Sequence, residues 1–140
     1  FGAVKKMSVK VLETKDDFDT CLAGAGNALV VVDFTATWCG PCKRIAPAFA
    51  ALAAEFKQAV FCKVDVDDNQ ETAHHCNVRS MPTFHFYKKQ QLVHTVQGAD
   101  EAALRAGVEQ HAGDTWSRMS GGNTLSSPLS SSVADDARLA

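Results

Sequence analysis

Two cysteines, Cys39 and Cys42, enclose Gly40 and Pro41 in the stretch "TWCGPCK". Cys-x-x-Cys is the spacing of half a zinc site and also of a redox dithiol. A structural zinc ion takes about four ligands. The chain has no second Cys-x-x-Cys, and the nearest set of ligand types, His74, His75 and Cys76, shares one short helical stretch with scattered directions. No metal is expected, and His74 and His75 read as a solvated helix edge. Redox work needs one sulfur stabilised as a thiolate and a second within bonding reach. Cys39 comes directly after an apolar strand and opens a helix, where unpaired backbone N–H groups favour negative charge. Its thiol pKa is expected below the free value of about 8.5. Cys42 lies one turn on, facing the same side, so the two sulfurs can meet in a disulfide. Within a β-α-β pattern such a pair reads as a redox dithiol.

The elements that would position this pair are legible from pattern. "VKVLE" (Val9 to Glu13) reads as a short strand, and "DDFDTCLAGAG" as a helix that starts after Thr14 and ends in glycines. "ALVVVDFTA" (Ala28 to Ala36) is a near-continuous β-branched run, as in a strand buried on both faces. "CGPCKRIAPAFAALAAEF" is helical, with Ile45, Phe49, Leu52 and Phe56 at three- and four-residue steps and a kink expected at Pro47. "AVFCKVDVD" is a third strand and "NQETAHHCNV" a short helix. "TFHFYK" and "QLVHTVQ" form a hairpin through "KQ", and "DEAALRAGVEQHA" is a final amphipathic helix. The order β-α-β-α-β-α-β-β-α predicts an α/β fold: a mixed sheet, parallel where helices cross over and antiparallel at the hairpin, flanked by helices.

Length and composition set outer limits. The chain has 140 residues, 46% of them hydrophobic, and a net charge of −2. That suits one globular domain, with no field to attract nucleic acid or anionic lipid. The apolar run Ala28 to Val32 is far short of the about 20 residues that span a membrane. "FGAVKKM" shows no apolar h-region; Met7 is read as the natural start and residues 1–6 as a vector or upstream remnant. Five cysteines, an odd number, argue for a reducing compartment over a structural disulfide framework. Residues 113–140, rich in Ser and Gly, read as a disordered tail with Trp116 as its one large anchor. Cys21 and Cys62 lie on apolar faces and read as core, Cys76 as inert, and His85 and His94 as facing outward or bonded locally. "GAG" (Gly24 to Gly26) precedes a strand and lacks the third glycine of a nucleotide loop. Asp65, Asp67 and Asp68 lack the Gly and distal Glu of an EF-hand loop.

"VVDFTATWCGPCKRIAPAF", "KVDVDD" and "SMPTFHFYK" strongly resemble cytosolic thioredoxins over residues 7–112. The resemblance implies a five-stranded mixed sheet with four helices. It implies reduction of disulfides in target proteins, with electrons from NADPH through a thioredoxin reductase, no bound cofactor, a monomer, and a cytoplasmic location; a protein of this size can also diffuse into the nucleus. Residue by residue, it makes Cys39 the attacking thiolate, Cys42 the buried resolving thiol, and Cys39–Cys42 the redox-active disulfide. Asp33 matches a buried carboxylate that serves Cys42 as proton acceptor, and Lys63 matches its partner. An acid within "VVVDF" is costly to bury, and desolvation raises its pKa. Met81-Pro82 matches a cis-proline turn that pairs with the target peptide. Trp38, Gly40, Pro41 and Gly98 match a flat apolar rim for target binding.

Gly-Pro between the cysteines adds no charge or histidine donor to the thiolate, which favours a reductant. Two positions that carry companion cysteines in some animal members hold Asn69 and Ser80, so their second disulfide is not expected here. An alternative rests on "RIAPAF", "QAVF" and "QGAD", which also resemble the N-terminal domain of proteasome-associated thioredoxin-like proteins. On that alternative the chain is an interaction module whose second domain is missing.

Overall fold

The computed structural model describes the backbone of residues 9–119 and the side chains of residues 9–112. Its elements are β1 (Val9–Val11), α1 (Lys15–Gly24), β2 (Val30–Thr35), α2 (Gly40–Glu55), β3 (Val60–Asp65), α3 (Gln70–His75), β4 (Thr83–Lys88), β5 (Gln91–Gln97) and α4 (Glu101–Met119). The five strands form one sheet in the order β1-β3-β2-β4-β5. β1, β3 and β2 run parallel, while β4 is antiparallel to β2 and β5 antiparallel to β4. The expected element order and mixed sheet are both present.

Local chemistry accounts for the boundaries. Thr14 caps α1 in a reciprocal capping box with Asp17: Asp17 N–H donates to Thr14 Oγ1 at 3.0 Å, and Thr14 N–H donates to Asp17 Oδ2 at 3.2 Å. Asn69 caps α3, accepting from Thr72 N–H at 3.3 Å. The β4–β5 hairpin turns through Lys89 and Gln90, both with positive φ (53° and 67°), the hand that matches strand twist. α2 passes through Pro47 without a break in the helix.

Alternation along β2 separates two cores. Val30, Val32 and Phe34 pack with Leu12, Phe18, Leu22, Cys62, Val64 and Tyr87 on the face covered by α1. Val31 and Asp33 point to the other face, where Phe49 of α2 lies against Phe61 and Phe84 with ring centroids 5.4 and 5.6 Å apart. α4 approaches that same face closely at Gly107, where a Cβ would sit 2.9 Å from both Phe86 Cζ and His94 Cδ2. His85 is buried among apolar neighbours on the first face and bonds locally, its Nδ1 3.1 Å from Tyr87 Oη. Burial lowers its pKa.

α4 extends through Met119, beyond the Ala112 at which the sequence pattern closes it. Gly113 is a weak breaker, and no proline follows before the helix ends. Contacts divide the chain into two units between Glu109 and Gln110; the sheet and α1 to α3 belong to the first, and the described part of the second is the remainder of α4. The expected upstream remnant (1–6), the tail beyond Met119 and the Trp116 side chain lie outside the described residues. Among the described residues no helix is long and apolar enough to cross a membrane.

Candidate active site

β2 ends at Thr35, and the chain turns through Ala36 to Trp38 into α2. Cys39 is the N-cap of α2, with φ −92° and ψ 111°. Its Sγ accepts a hydrogen bond of 3.1 Å from the backbone N–H of Cys42. A side-chain oxygen usually occupies this place; here the sulfur takes it, and the same donor would stabilise a thiolate. Pro41, in the first turn, has no N–H to leave unpaired. Cys39 and Cys42 are joined by a disulfide, with Cα atoms 5.3 Å apart.

Both cysteines are nearly enclosed, Cys39 at 5% exposure and Cys42 at 3%. They pack with Ala36, Val66 and Met81. Met81-Pro82 is the cis peptide bond expected at that position. Pro82 O accepts a 2.8 Å hydrogen bond from Gly98 N–H, and Gly98 adopts φ 93°, open to glycine at little cost. The sequence-predicted Met81, Pro82 and Gly98 are thereby tied into one turn region, with Met81 against the cysteines.

Asp33 is 5% exposed, buried as the sequence pattern requires. It lies on the sheet face covered by α2, and its Oδ1 has no hydrogen-bond partner among the described residues. Burial pushes its carboxyl pKa up to about 7, against a weaker downward pull from Lys63. Lys63 is its direct neighbour across β2 and β3 and is exposed. An acid poised at that value is suited to proton transfer at neutral pH.

Sequence reasoning did not find Asp67 as part of the site. Trp38 is 65% exposed, yet its indole N–H donates to Asp67 Oδ2 at 2.8 Å. The signal was available in principle. Thr35 and Asp65 are paired at the ends of two adjacent parallel strands, so the residues that follow each must emerge side by side. Asp65 itself accepts from the backbone N–H groups of Asp67 (2.8 Å) and Asp68 (3.3 Å), fixing that turn. Cys76, read as inert, lies 3.5 Å from Tyr87 Oη, and burial raises its pKa.

A helix-capping cysteine disulfide-bonded one turn on, a cis-proline turn against it and a mixed sheet beneath define a thiol–disulfide oxidoreductase. Comparisons with known proteins give the family. A sequence model of the Thioredoxin family matches residues 9–110. A thioredoxin of Geodia cydonium is 53% identical over 104 residues, covering 74% of this chain and 98% of that protein. One of Mus musculus is 51% identical over 104 residues, covering 74% and 99%. The X-ray structure of Fasciola hepatica thioredoxin superposes with a TM-score of 0.72 at 44% identity, covering 73% of this chain and 98% of that one. This chain belongs to the thioredoxin family. It is a protein-disulfide reductase with a Cys39–Cys42 redox pair. Nothing found supports the alternative of a proteasome-associated interaction module.

Proposed function

We propose the following division of labour. Cys39 attacks a disulfide of a target protein as the thiolate: a bond forms between Cys39 Sγ and one target sulfur, and the other target sulfur leaves as thiolate. Asp33 accepts the Cys42 proton through an intervening water, and Cys42 attacks Cys39 Sγ. The Cys39–Cys42 disulfide closes and the second target sulfur departs reduced. Lys63 tempers the pKa of Asp33 across the ladder. Trp38, Gly40, Pro41, Met81, Pro82 and Gly98 form the rim on which an extended target segment lies, with the Met81 backbone pairing as an added strand.

The observation that carries this reading is the pairing of two environments. The start of α2 directs Cys42 N–H at Cys39 Sγ, while Asp33 is held at a pKa of about 7 on the sheet face under the same helix. One favours a thiolate on Cys39, and the other supplies a base for Cys42.

Residues 7–112 form the working domain, residues 113–119 continue its last helix, and residues 120–140 are a tail outside it. Electrons come from NADPH through a thioredoxin reductase, which re-reduces Cys39–Cys42. The protein acts as a monomer in the cytoplasm, with access to the nucleus, and serves electron transport and cell redox homeostasis. Its near-neutral net charge of −2 and the flat rim suit many different protein targets. Insulin reduction coupled to NADPH oxidation by thioredoxin reductase tests this arrangement. Continuous turnover that vanishes in Cys39→Ser is expected; intact Cys39–Cys42 with no NADPH consumption would overturn it.

A further inference from the structure

Two other cysteines meet inside the molecule. Cys21 on α1 and Cys62 on β3 place their sulfurs 3.3 Å apart, although 41 positions separate them in the chain. Both are free thiols. They belong to the core on the α1 face of the sheet, whereas Cys39 and Cys42 form a separate cluster with Ala36. We propose that Cys21 and Cys62 are a second redox-active dithiol, which a small hydroperoxide converts to a disulfide joining α1 to β3.

The surroundings give the two sulfurs different parts. Cys62 is fully buried in the middle of β3, paired with Lys10 of β1 and Val32 of β2. Cys21 is 8% exposed and lines a cleft of about 450 Å³, together with Lys10, Val11, Leu12, Thr20 and Val60. That opening suits a peroxide better than a folded protein, so this pair differs from Cys39–Cys42 in the oxidant it meets. The hydrogen bond shared with Cys62 lowers the Cys21 thiol pKa, with help from the Lys10 charge, while burial opposes it. The same hydrogen bond and burial raise Cys62. Cys21 is therefore the attacking sulfur and Cys62 the resolving one.

The chemistry balances with hydrogen peroxide as the two-electron oxidant. Cys21 thiolate attacks one peroxide oxygen; the O–O bond breaks, hydroxide leaves, and Cys21 becomes a sulfenic acid. Cys62 sulfur then attacks Cys21 Sγ, the S–O bond breaks, and the oxygen leaves as water with the Cys62 proton. Two thiols and one peroxide yield one disulfide and two waters. The sulfurs must approach by roughly 1 Å to reach bonding distance, within reach of a side-chain and helix adjustment.

The test is peptide mapping of the full chain, fully reduced and then treated with hydrogen peroxide in excess of the about two equivalents that two bridges consume. Two bridges are expected, Cys39–Cys42 and Cys21–Cys62, with Cys76 still alkylatable after denaturation. Recovery of Cys21 and Cys62 as free thiols while Cys39–Cys42 closes would overturn the proposal. The triple variant Cys39→Ser, Cys42→Ser, Cys76→Ser isolates the second pair. It should lose two hydrogens in intact mass and regain them with dithiothreitol. Cys62→Ser, which keeps a hydrogen-bond donor beside Cys21 and removes the resolving sulfur, should leave Cys21 sulfenic acid, trapped by dimedone. Unlabelled Cys21 in the folded variant would also count against it. Cys21→Ala should leave Cys62 unoxidised and insulin reduction unchanged.

Discussion

Asp33 and Lys63 face each other across the β2–β3 ladder, but only the acid is enclosed. The lysine lies in solvent, so its pull on the carboxyl is weaker than the cost of burial, and the Asp33 pKa stands at about 7. A raised folded pKa means that the native state holds a proton the unfolded state has given up. Stability from this group is complete below about pH 4 and is lost as pH rises through about 7. Asp33→Asn should remove that dependence and gain on the order of 4 kcal/mol over the wild type above about pH 8. Urea unfolding of the oxidised protein at acid and alkaline pH measures the difference; parallel pH profiles would refute it.

The same substitution should impair chemistry where it helps stability. Without a base near Cys42, resolution of the mixed disulfide slows, by roughly tenfold or more at neutral pH. The deficit should shrink as pH approaches about 8.5, where a thiol ionises unaided. Stopped-flow release of a reduced target from the mixed disulfide reads this step directly. A deficit that is constant across pH would exclude Asp33 as the proton acceptor.

Asp67 holds the exposed indole of Trp38, and a rim residue held in place costs less to order when a target docks. Asp67→Ala should raise the KM for a protein disulfide by about 2- to 10-fold, the worth of one hydrogen bond, with little effect on a small-molecule disulfide. Asp67→Asn, which keeps an acceptor oxygen, should lie nearer the wild type. Equal losses on both substrates would assign Asp67 to the dithiol instead of the rim.

Gly107 allows α4 to lie against Phe86 and His94. Gly107→Ala would force atoms apart at 2.9 Å, next to the fully buried Phe86. Crowding of about 1–3 kcal/mol outweighs the gain in helix propensity of about 1 kcal/mol, so net destabilisation is expected. The urea midpoint should fall while insulin reduction by the folded fraction stays the same. An unchanged or raised midpoint would mean that α4 moves away freely.

Trapping separates attack from resolution. Cys42→Ser leaves Cys39 able to attack but removes the resolving sulfur, so mixed disulfides with targets should accumulate on Cys39. Their absence on non-reducing gels, with Cys39 still reactive to iodoacetamide, would remove the exchange mechanism.

Much of this was legible in the sequence because the relevant signals are local. The β-branched run of β2, the Thr14 cap and the apolar steps of α2 each follow from short-range periodicity. Asp33 stood out as an acid inside a run that had to be buried. The contacts that escaped all join distant segments. Trp38 meets Asp67 only because β2 and β3 are parallel neighbours with aligned ends. Cys21 meets Cys62 only because α1 packs over β3, which periodicity reports as two apolar faces with no indication that they touch. His85 alternates with apolar residues as an outward residue would, but its strand is central and both faces are covered. The end of α4 was lost to a single glycine, whose cost in a helix is small beside the helix around it.

The central claim is that Cys39–Cys42 gives electrons to target disulfides. Its most direct test is the equilibrium reduction potential of that pair in defined thiol–disulfide buffers, with Cys21, Cys62 and Cys76 replaced by serine or alanine. A value close to that known for thioredoxin, about −270 mV, is expected. A value near the roughly −180 mV of protein disulfide isomerase would contradict it, because such a pair would accept electrons from the targets it is said to reduce.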